Sequence, residues 1–340
     1  MTTLARVGEF GFIDAIANLA APSSPVTSVK IGIGDDAAVV AGFRSTLLTT
    51  DTMTAGVHFE PAWIAPRALG RRAFRVAVSD IAAMGGTPRY ALLSLAMPPD
   101  YEVAAGRALV AGLVADAESV GAVLVGGNVS RSKIVSITVT VVGEGPRRPL
   151  ARDRARPGDA VLVTGTVGDA AAGVELLGRG VDSGALVEAY RRPPLRIDVG
   201  RALAGAGAVR AMIDVSDGVG RDLHHICRAS KVSAVIDPAA LPLSRMMKAA
   251  TASRPARSRA AAGRAHRLAH PALRYALGGG DDYELLFTVP AKLIERVESL
   301  CAKHGCVVSR IGEIVAGARV SSVLDPSGRV IDGAGYTHFE

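Results

Sequence analysis

Short runs of Val, Leu and Ile alternate along this chain with Ala-rich stretches whose apolar residues recur at helical spacing, and that alternation leaves few architectures open. Ala122–Val125, Ala160–Thr164 and Leu285–Val289 are continuous apolar runs, the pattern of strands buried on both faces, and Val135–Gly143 alternates as a half-covered strand does. Val29–Ile33, Thr46–Thr50, Ala91–Met97 and Ala211–Asp214 also read as strands. Helices are expected over Glu9–Ala20, Tyr101–Ser119, Ala170–Leu177, Leu195–Ala204, Gly218–Ser230 and Ala291–His304. A further helix opens at Pro66, a good first-turn residue, and closes at Gly85-Gly86. The class is therefore α/β. Aromatics make up only 4% of the 340 residues, so the core must be Ala, Val, Leu and Ile, which suits strands lying under small-residue helices. That length fits two domains. The polar, Pro-rich stretch Pro146–Asp159 holds the expected boundary, giving domains 1–148 and 149–340, the second with a basic insertion at about 245–275.

The net charge of +7 comes from that insertion. Arg245, Lys248, Arg254, Arg257, Arg259, Arg264, Arg267 and Arg274 lie there with no acid among them, and outside it the signs nearly balance. Basic nucleic-acid surfaces draw on several elements and carry stacking aromatics. A single Ala/Arg tract reads instead as a solvated insertion, so no specific nucleic-acid partner is expected. No apolar run approaches the ~18 residues a membrane span needs, and Glu9 and Asp14 interrupt any signal-peptide core. Cys227, Cys301 and Cys306 form no CxxC pair, which fits a reducing, cytoplasmic location.

Carboxylates recur beside apolar runs, often next to glycine: Ile31-Gly-Ile-Gly-Asp-Asp36, Leu48-Thr-Thr-Asp51, Val78-Ser-Asp80 and Ile213-Asp-Val-Ser-Asp-Gly218. Strand ends followed by glycine let short side chains reach the crevice where α/β proteins bind ligands. Any one of these Asp residues reads equally as a cap or turn residue. Together, without His or Cys in the motifs, they favour a hard cation of the Mg²⁺ type shared with phosphate oxygens. Gly32-Ile-Gly-Asp-Asp-Ala37 fits a dinucleotide fingerprint only formally, because Asp35 and Asp36 would repel a pyrophosphate that no metal bridges. No P-loop signature occurs. Gly126-Gly127-Asn128, placed at a strand end, and Gly278–Glu284, with three acids, read as polar mouths for a nucleotide and for a cationic or hydroxyl-bearing ligand.

Taken in order, GEFGFIDAI at Gly8, IGIGDDAAV at Ile31, TTDTMTAGVHF at Thr49, VSDIAAMGGTP at Val78, GGNVSRS at Gly126, VTGTVGDAAAG at Val163, IDVSDG at Ile213, GGDDYELLFTVP at Gly279 and GYTHF at Gly335 resemble the thiamine-monophosphate kinase family. The likeness runs from about residue 8 to the end and lapses across the basic tract. It implies the two-domain fold of the aminoimidazole-ribotide synthetase-like superfamily, a homodimer formed through the N-terminal ATP- and Mg-binding domain, and transfer of phosphate from ATP to thiamine monophosphate.

By the same resemblance, Asp36, Thr49, Thr50, Asp51, Asp80, Asn128, Asp214 and Asp217 would hold several Mg²⁺ ions. Gly127, Asn128, Arg152 and Ser216 would touch ATP, and His58, Asp281 and Tyr336 would meet thiamine phosphate. Asp51, Asp80 and Arg152 would act at the transferred group. Asn128 stands where some members carry Asp, and Asp281 where the loop usually has Glu. The acceptor is a phosphate oxygen, largely ionised at neutral pH, so the reaction calls for charge neutralisation rather than a strong base. Two other readings are another ATP-using enzyme of the superfamily and a non-catalytic sensor of nucleotide or thiamine phosphate. Selenophosphate synthetases need an early Cys, whereas the first here is Cys227, and a sensor need not keep a transfer site.

Overall fold

The computed structural model describes residues 3, 6, 12, 15–20, 28–31, 39–40, 42–252, 271–317 and 321–331. Two compact units emerge, one of residues 1–81 and 86–147, the other of 82–85 and 148–340. Asp36, Tyr336 and residues 253–270 lie outside the described residues, as do 9–11, 13 and 14 of the expected first helix, whose other residues, 12 and 15–20, are helical.

In the first unit, strands β1 (Val29–Ile31) and β2 (Val39–Val40) pair with each other. A separate sheet runs β3-β6-β4-β5, built from β3 (Thr46–Thr54), β4 (Thr87–Met97), β5 (Val123–Arg131) and β6 (Ser136–Glu144). Helices Pro66–Ala83 and Val103–Ser119 meet at their backbones: a Cβ on Gly70 would lie 1.8 Å from the Leu109 carbonyl, and one on Gly112 would lie 1.9 Å from that of Arg67. Arg71 and Arg75 tie the two helices by ion pairs to the buried Asp116, at 2.7 and 2.5 Å. Ile81 packs over Gly143 of β6, so helix Pro66–Ala83 covers one face of the sheet. The opposite face carries Leu48, Thr50 and Thr52 of β3, Thr138, Thr140 and Val142 of β6, and Leu92 and Ser94 of β4. It holds no charge among these residues, and Leu48 is 72% exposed.

The second unit is one six-stranded sheet in the order β12-β9-β11-β7-β10-β8. Its strands are β7 (Asp159–Thr164), β8 (Ala211–Asp214), β9 (Val232–Ile236), β10 (Leu285–Pro290), β11 (Val308–Ala316) and β12 (Val323–Leu324). Every pair is antiparallel except β12 with β9. Every residue of β7 is buried, as its unbroken apolar run requires. Val161, Val163, Ile213, Leu223, Ile226, Leu286 and Ile311 pack in one core.

Several elements differ from the sequence expectation. β3 and β5 run on to Thr54 and Arg131, so Gly126, Gly127 and Asn128 lie within a strand rather than at its mouth. β9 was hidden because Lys231, at φ 57°, ends helix Val219–Ser230 in the left-handed conformation usually left to glycine. The basic tract is not wholly a solvated insertion. Helices Arg245–Ala252 and Pro271–Gly278 bury Met247, Thr251, Ala272 and Ala276, and Met247 and Ala272 pack with Ala172 and Leu186. Met247 in the first helix and Leu277 in the second are fully buried and anchor them, with Ala272 and Ala276 allowing close approach.

Candidate active site

In the first unit, alternation along β3 puts Leu47, Thr49, Asp51 and Met53 on the helix-covered face. Asp80 is in helix Pro66–Ala83, and Asp51 stands inside β3; neither ends a strand as the motif reading had it. The Thr49 hydroxyl donates to Asp80 Oδ2 at 2.5 Å. Burial, and then the Asp80 carboxylate, push the Asp51 carboxyl up to about 6. Two carboxylates and a hydroxyl brought together in this way suit a hard divalent cation, so Thr49, Asp51 and Asp80 fit the expected Mg²⁺.

Thr50 departs from expectation. Its side chain is on the opposite face, where its hydroxyl bonds Thr140 at 2.9 Å, followed by Thr52 with Thr138 at 2.8 Å. The strand period of two dictates this, since neighbours cannot both present side chains to one cation. His58 follows β3, and its Nδ1 accepts the Thr54 N–H at 3.1 Å, which leaves Nε2 as the ring's donor. Asn128 stands opposite Ser94 in the parallel β4–β5 ladder and is exposed. A Cβ on Gly127 would lie 1.9 Å from the Leu93 carbonyl oxygen, so that position is glycine because the strands approach too closely for anything larger.

In the second unit, Asp214 does end β8 and is buried. The turn after it leads through Ser216 and Asp217 to Gly218, the N-cap of helix Val219–Ser230. Asp222, in that helix, turns its carboxylate back: Oδ2 accepts the N–H of Asp217 at 3.0 Å and of Gly218 at 3.1 Å. Burial, then the Asp214 carboxylate, raise Asp222 well above the ordinary range. Asp217, Asp222 and His225 offer ligand atoms within 4.8 Å of one another, the one such group among the described residues. Arg221 Nε lies 3.4 Å from Asp217 Oδ2. Burial, then the Arg152 and Arg221 charges, lower the pKa of His225 and keep its ring neutral. The exposed Arg152 is anchored through its carbonyl, which accepts the Ser230 hydroxyl at 2.7 Å.

The acidic loop divides its work. Asp282 is buried and accepts the N–H of Gly168 at 2.6 Å and of Ala170 at 3.5 Å, capping helix Asp169–Gly178. Glu284 takes both Arg196 Nε and Nη2 at 2.6 Å and the Thr164 hydroxyl at 2.5 Å. Two of the three acids read as ligand-facing are therefore structural, and the third, Asp281, accepts the Tyr283 hydroxyl on Oδ1 at 3.1 Å. Asp281 N–H donates to the Ser216 carbonyl at 2.9 Å, and Tyr283 N–H to that of Val215 at 2.8 Å, so this loop lies on the Asp217 turn.

Each unit thus gathers its own set: Thr49, Asp51 and Asp80 in the first, and Asp214, Ser216, Asp217 and Asp281 in the second, with Arg152 beside His225. Sequence reasoning missed Asp222 and His225. The available signal was an acid in the first turns of the helix after Ser-Asp-Gly, where reach-back capping is common.

Family models for AIR synthase related proteins match both parts of the chain, the N-terminal domain over residues 34–145 and the C-terminal domain over 156–325. Thiamine-monophosphate kinase of Aquifex aeolicus is 38% identical over 84% of this chain and 87% of its own length. That of Bacillus subtilis is 32% identical over 92% and 95%. Among solved structures, thiamine-monophosphate kinase from Stenotrophomonas maltophilia superposes with a TM-score of 0.78 at 32% identity, covering 95% of this chain and 98% of its own. AaThiL complexed with AMPPCP and TMP gives 0.73 at 31%, covering 100% and 99%.

Proposed function

We infer the function from one premise: this chain belongs to the thiamine-monophosphate kinase family of AIR-synthase-related proteins. It phosphorylates thiamine monophosphate with ATP, giving thiamine diphosphate and ADP. Within the chain, the observation that carries this reading is the acidic centre of Thr49, Asp51 and Asp80, whose charge is held where it repels itself. In the transfer, an oxygen of the thiamine phosphate forms a bond to the γ-phosphorus of ATP as the bond to the β-phosphate oxygen breaks. The acceptor is already an anion, so no residue need take a proton.

Asp51 and Asp80 in the first unit, and Asp214 and Asp217 in the second, would each hold Mg²⁺, which would supply positive charge against the repulsion between two phosphates. Asp36, Thr49 and Asn128 complete the ligand set that the family likeness implies, with Thr50 restricted to its backbone. Arg152 and Ser216 bind ATP, and Arg152 adds charge at the transferred group. His58 offers its Nε2 proton to the thiamine phosphate, Asp281 takes up the organic cation, and Tyr336 stacks against it.

Residues 1–148 serve ATP, Mg²⁺ and dimerisation, and 149–340 complete the enzyme. A second copy of the chain covers the uncharged face around Leu48 and Leu92, since large apolar side chains exposed on a sheet face without charges suit an interface between copies. No helix among the described residues is long and apolar enough to cross a membrane; a cytoplasmic location belongs to the same proposal. The test is purified protein with ATP and Mg²⁺, given thiamine phosphate or thiamine, with thiamine diphosphate and thiamine phosphate measured by chromatography. Product should form from the phosphate alone and disappear reversibly with EDTA. Equal turnover of both acceptors would overturn the reading.

A further inference from the structure

Resting on that reading, we propose that Asp222 is a positioning residue: its carboxylate fixes the Ser216–Gly218 turn and, through the turn, sets both the Asp217 ligand and the Asp281 loop for the reaction. Three observations converge. Asp222 is 1% exposed, yet its Oδ2 accepts two consecutive backbone N–H groups, those of Asp217 and Gly218. Gly218 has φ 106°, a conformation that only glycine holds without strain, so the chain leaves β8 by a bend that needs an outside anchor. The far side of that bend is what the Asp281 loop lies on. Ser216 and Val215 carbonyls accept the N–H groups of Asp281 and Tyr283, and the Val215 N–H donates to the Glu284 carbonyl at 2.8 Å. Gly280 is packed so closely that a Cβ there would sit 2.1 Å from the Ser216 oxygen. The turn is therefore clasped between Asp222 below and residues 280–284 above. A shift of the turn moves a metal ligand and a substrate contact together.

What this role requires of residue 222 is a short side chain with an acceptor oxygen, and not a negative charge. Asparagine supplies that oxygen, and its amide N–H groups would face the Asp214 and Asp217 carboxylates. Asp222→Asn and Asp222→Ala therefore separate positioning from direct ligation. In the full-length protein, Asp222→Ala should raise the half-saturating Mg²⁺ concentration by about tenfold or more, as loss of an orienting partner does. It should also raise KM for thiamine phosphate and speed amide exchange at Asp217 and Gly218. Asp222→Asn should stay within about threefold of wild type in all of these. Asp159→Ala serves as the control, since Asp159 accepts the Arg156 N–H and pairs with Arg210 away from the turn. That variant should lower the melting temperature and leave the Mg²⁺ dependence alone.

If Asp222→Asn is as impaired as Asp222→Ala, the charge itself is needed and the positioning role is wrong. If Asp222→Ala melts early but keeps wild-type Mg²⁺ dependence and KM, the residue is merely structural and the proposal also falls. Should Asp222→Ala not fold, Asp222→Asn decides alone: a tenfold shift in its Mg²⁺ dependence overturns the proposal, and protected Asp217 and Gly218 amides with near-normal kinetics sustain it. Amide exchange at Asp217 and Gly218 needs no substrate. It judges Asp222 even if wild-type protein fails to turn over thiamine phosphate, an outcome that would instead defeat the functional reading.

Discussion

Replacing Asp51 with Asn should make the metal-free protein more stable at neutral pH while removing its activity. The fold holds the Asp51 carboxyl at about 6, against a usual 3.8, through burial and then the neighbouring Asp80. A carboxyl raised in this way binds its proton more tightly when folded. Its stabilising contribution is complete below about pH 4 and is lost as pH rises through about 6. A gap of about two pH units corresponds to ~3 kcal/mol, and allowing half of that for partial access to water leaves ~1.5 kcal/mol. Asparagine of the same shape carries no charge to confine. In EDTA at pH 7.5, Asp51→Asn should therefore melt about 3–6 °C above wild type, and at pH 4 the two should coincide. Saturating Mg²⁺ should reverse the order, because binding stabilises the wild type more. Thermal melts with and without EDTA at both pH values read all three conditions. A variant no more stable than wild type at pH 7.5 without metal would refute the idea that this carboxylate is confined for a cation.

Asp80→Asn should lower turnover by at least ~100-fold in a protein that melts normally, since charge at the metal is lost while shape is kept; wild-type rates at saturating Mg²⁺ would make the cluster structural. Glu284→Gln leaves the Arg196 guanidinium without its bidentate partner and should cost about 3–5 kcal/mol in urea unfolding. A loss under ~1 kcal/mol would mean the pair is not the anchor described. Leu48→Glu puts a charge on the uncharged sheet face and should convert a dimer to monomer in light scattering at micromolar protein; an unchanged mass would place the interface elsewhere.

The core strands and helices were legible because their periods are written in the residues. β7 is an unbroken apolar run and is wholly buried, while β6 alternates and is half-covered. What escaped were features set by tertiary contact. Gly127 looks like a flexible mouth in one dimension, yet it is a strand residue pressed on the Leu93 backbone. Thr50 sits next to Asp51 in the motif, but strand alternation turns its hydroxyl to the other face. Asp282 and Glu284 share the composition of a ligand loop, and only their partners Gly168, Ala170 and Arg196 reveal that they face inward. For Asp222 the one cue in the sequence is an acid early in a helix, and only the chain reversal shows which backbone amides its carboxylate meets.

The loop at 281–284 also bears on how this enzyme's specificity can change over generations. Asp281 and Tyr283 both have positive φ, 73° and 50°, and are held there by the Ser216 and Val215 carbonyls while the neighbouring acids are occupied in the fold. Such backbone is tolerated by Asp better than by most residues, Glu included. A longer acid at 281 would extend reach towards a ligand and burden the same bend, so length and strain are traded at one position. Because Asp282 and Glu284 carry the structural duty, that trade can be explored without unfolding the domain. On the proposed substrate role of Asp281, residue 281 is the tuning point of the loop, and its neighbours are the frame that keeps the rest from drifting.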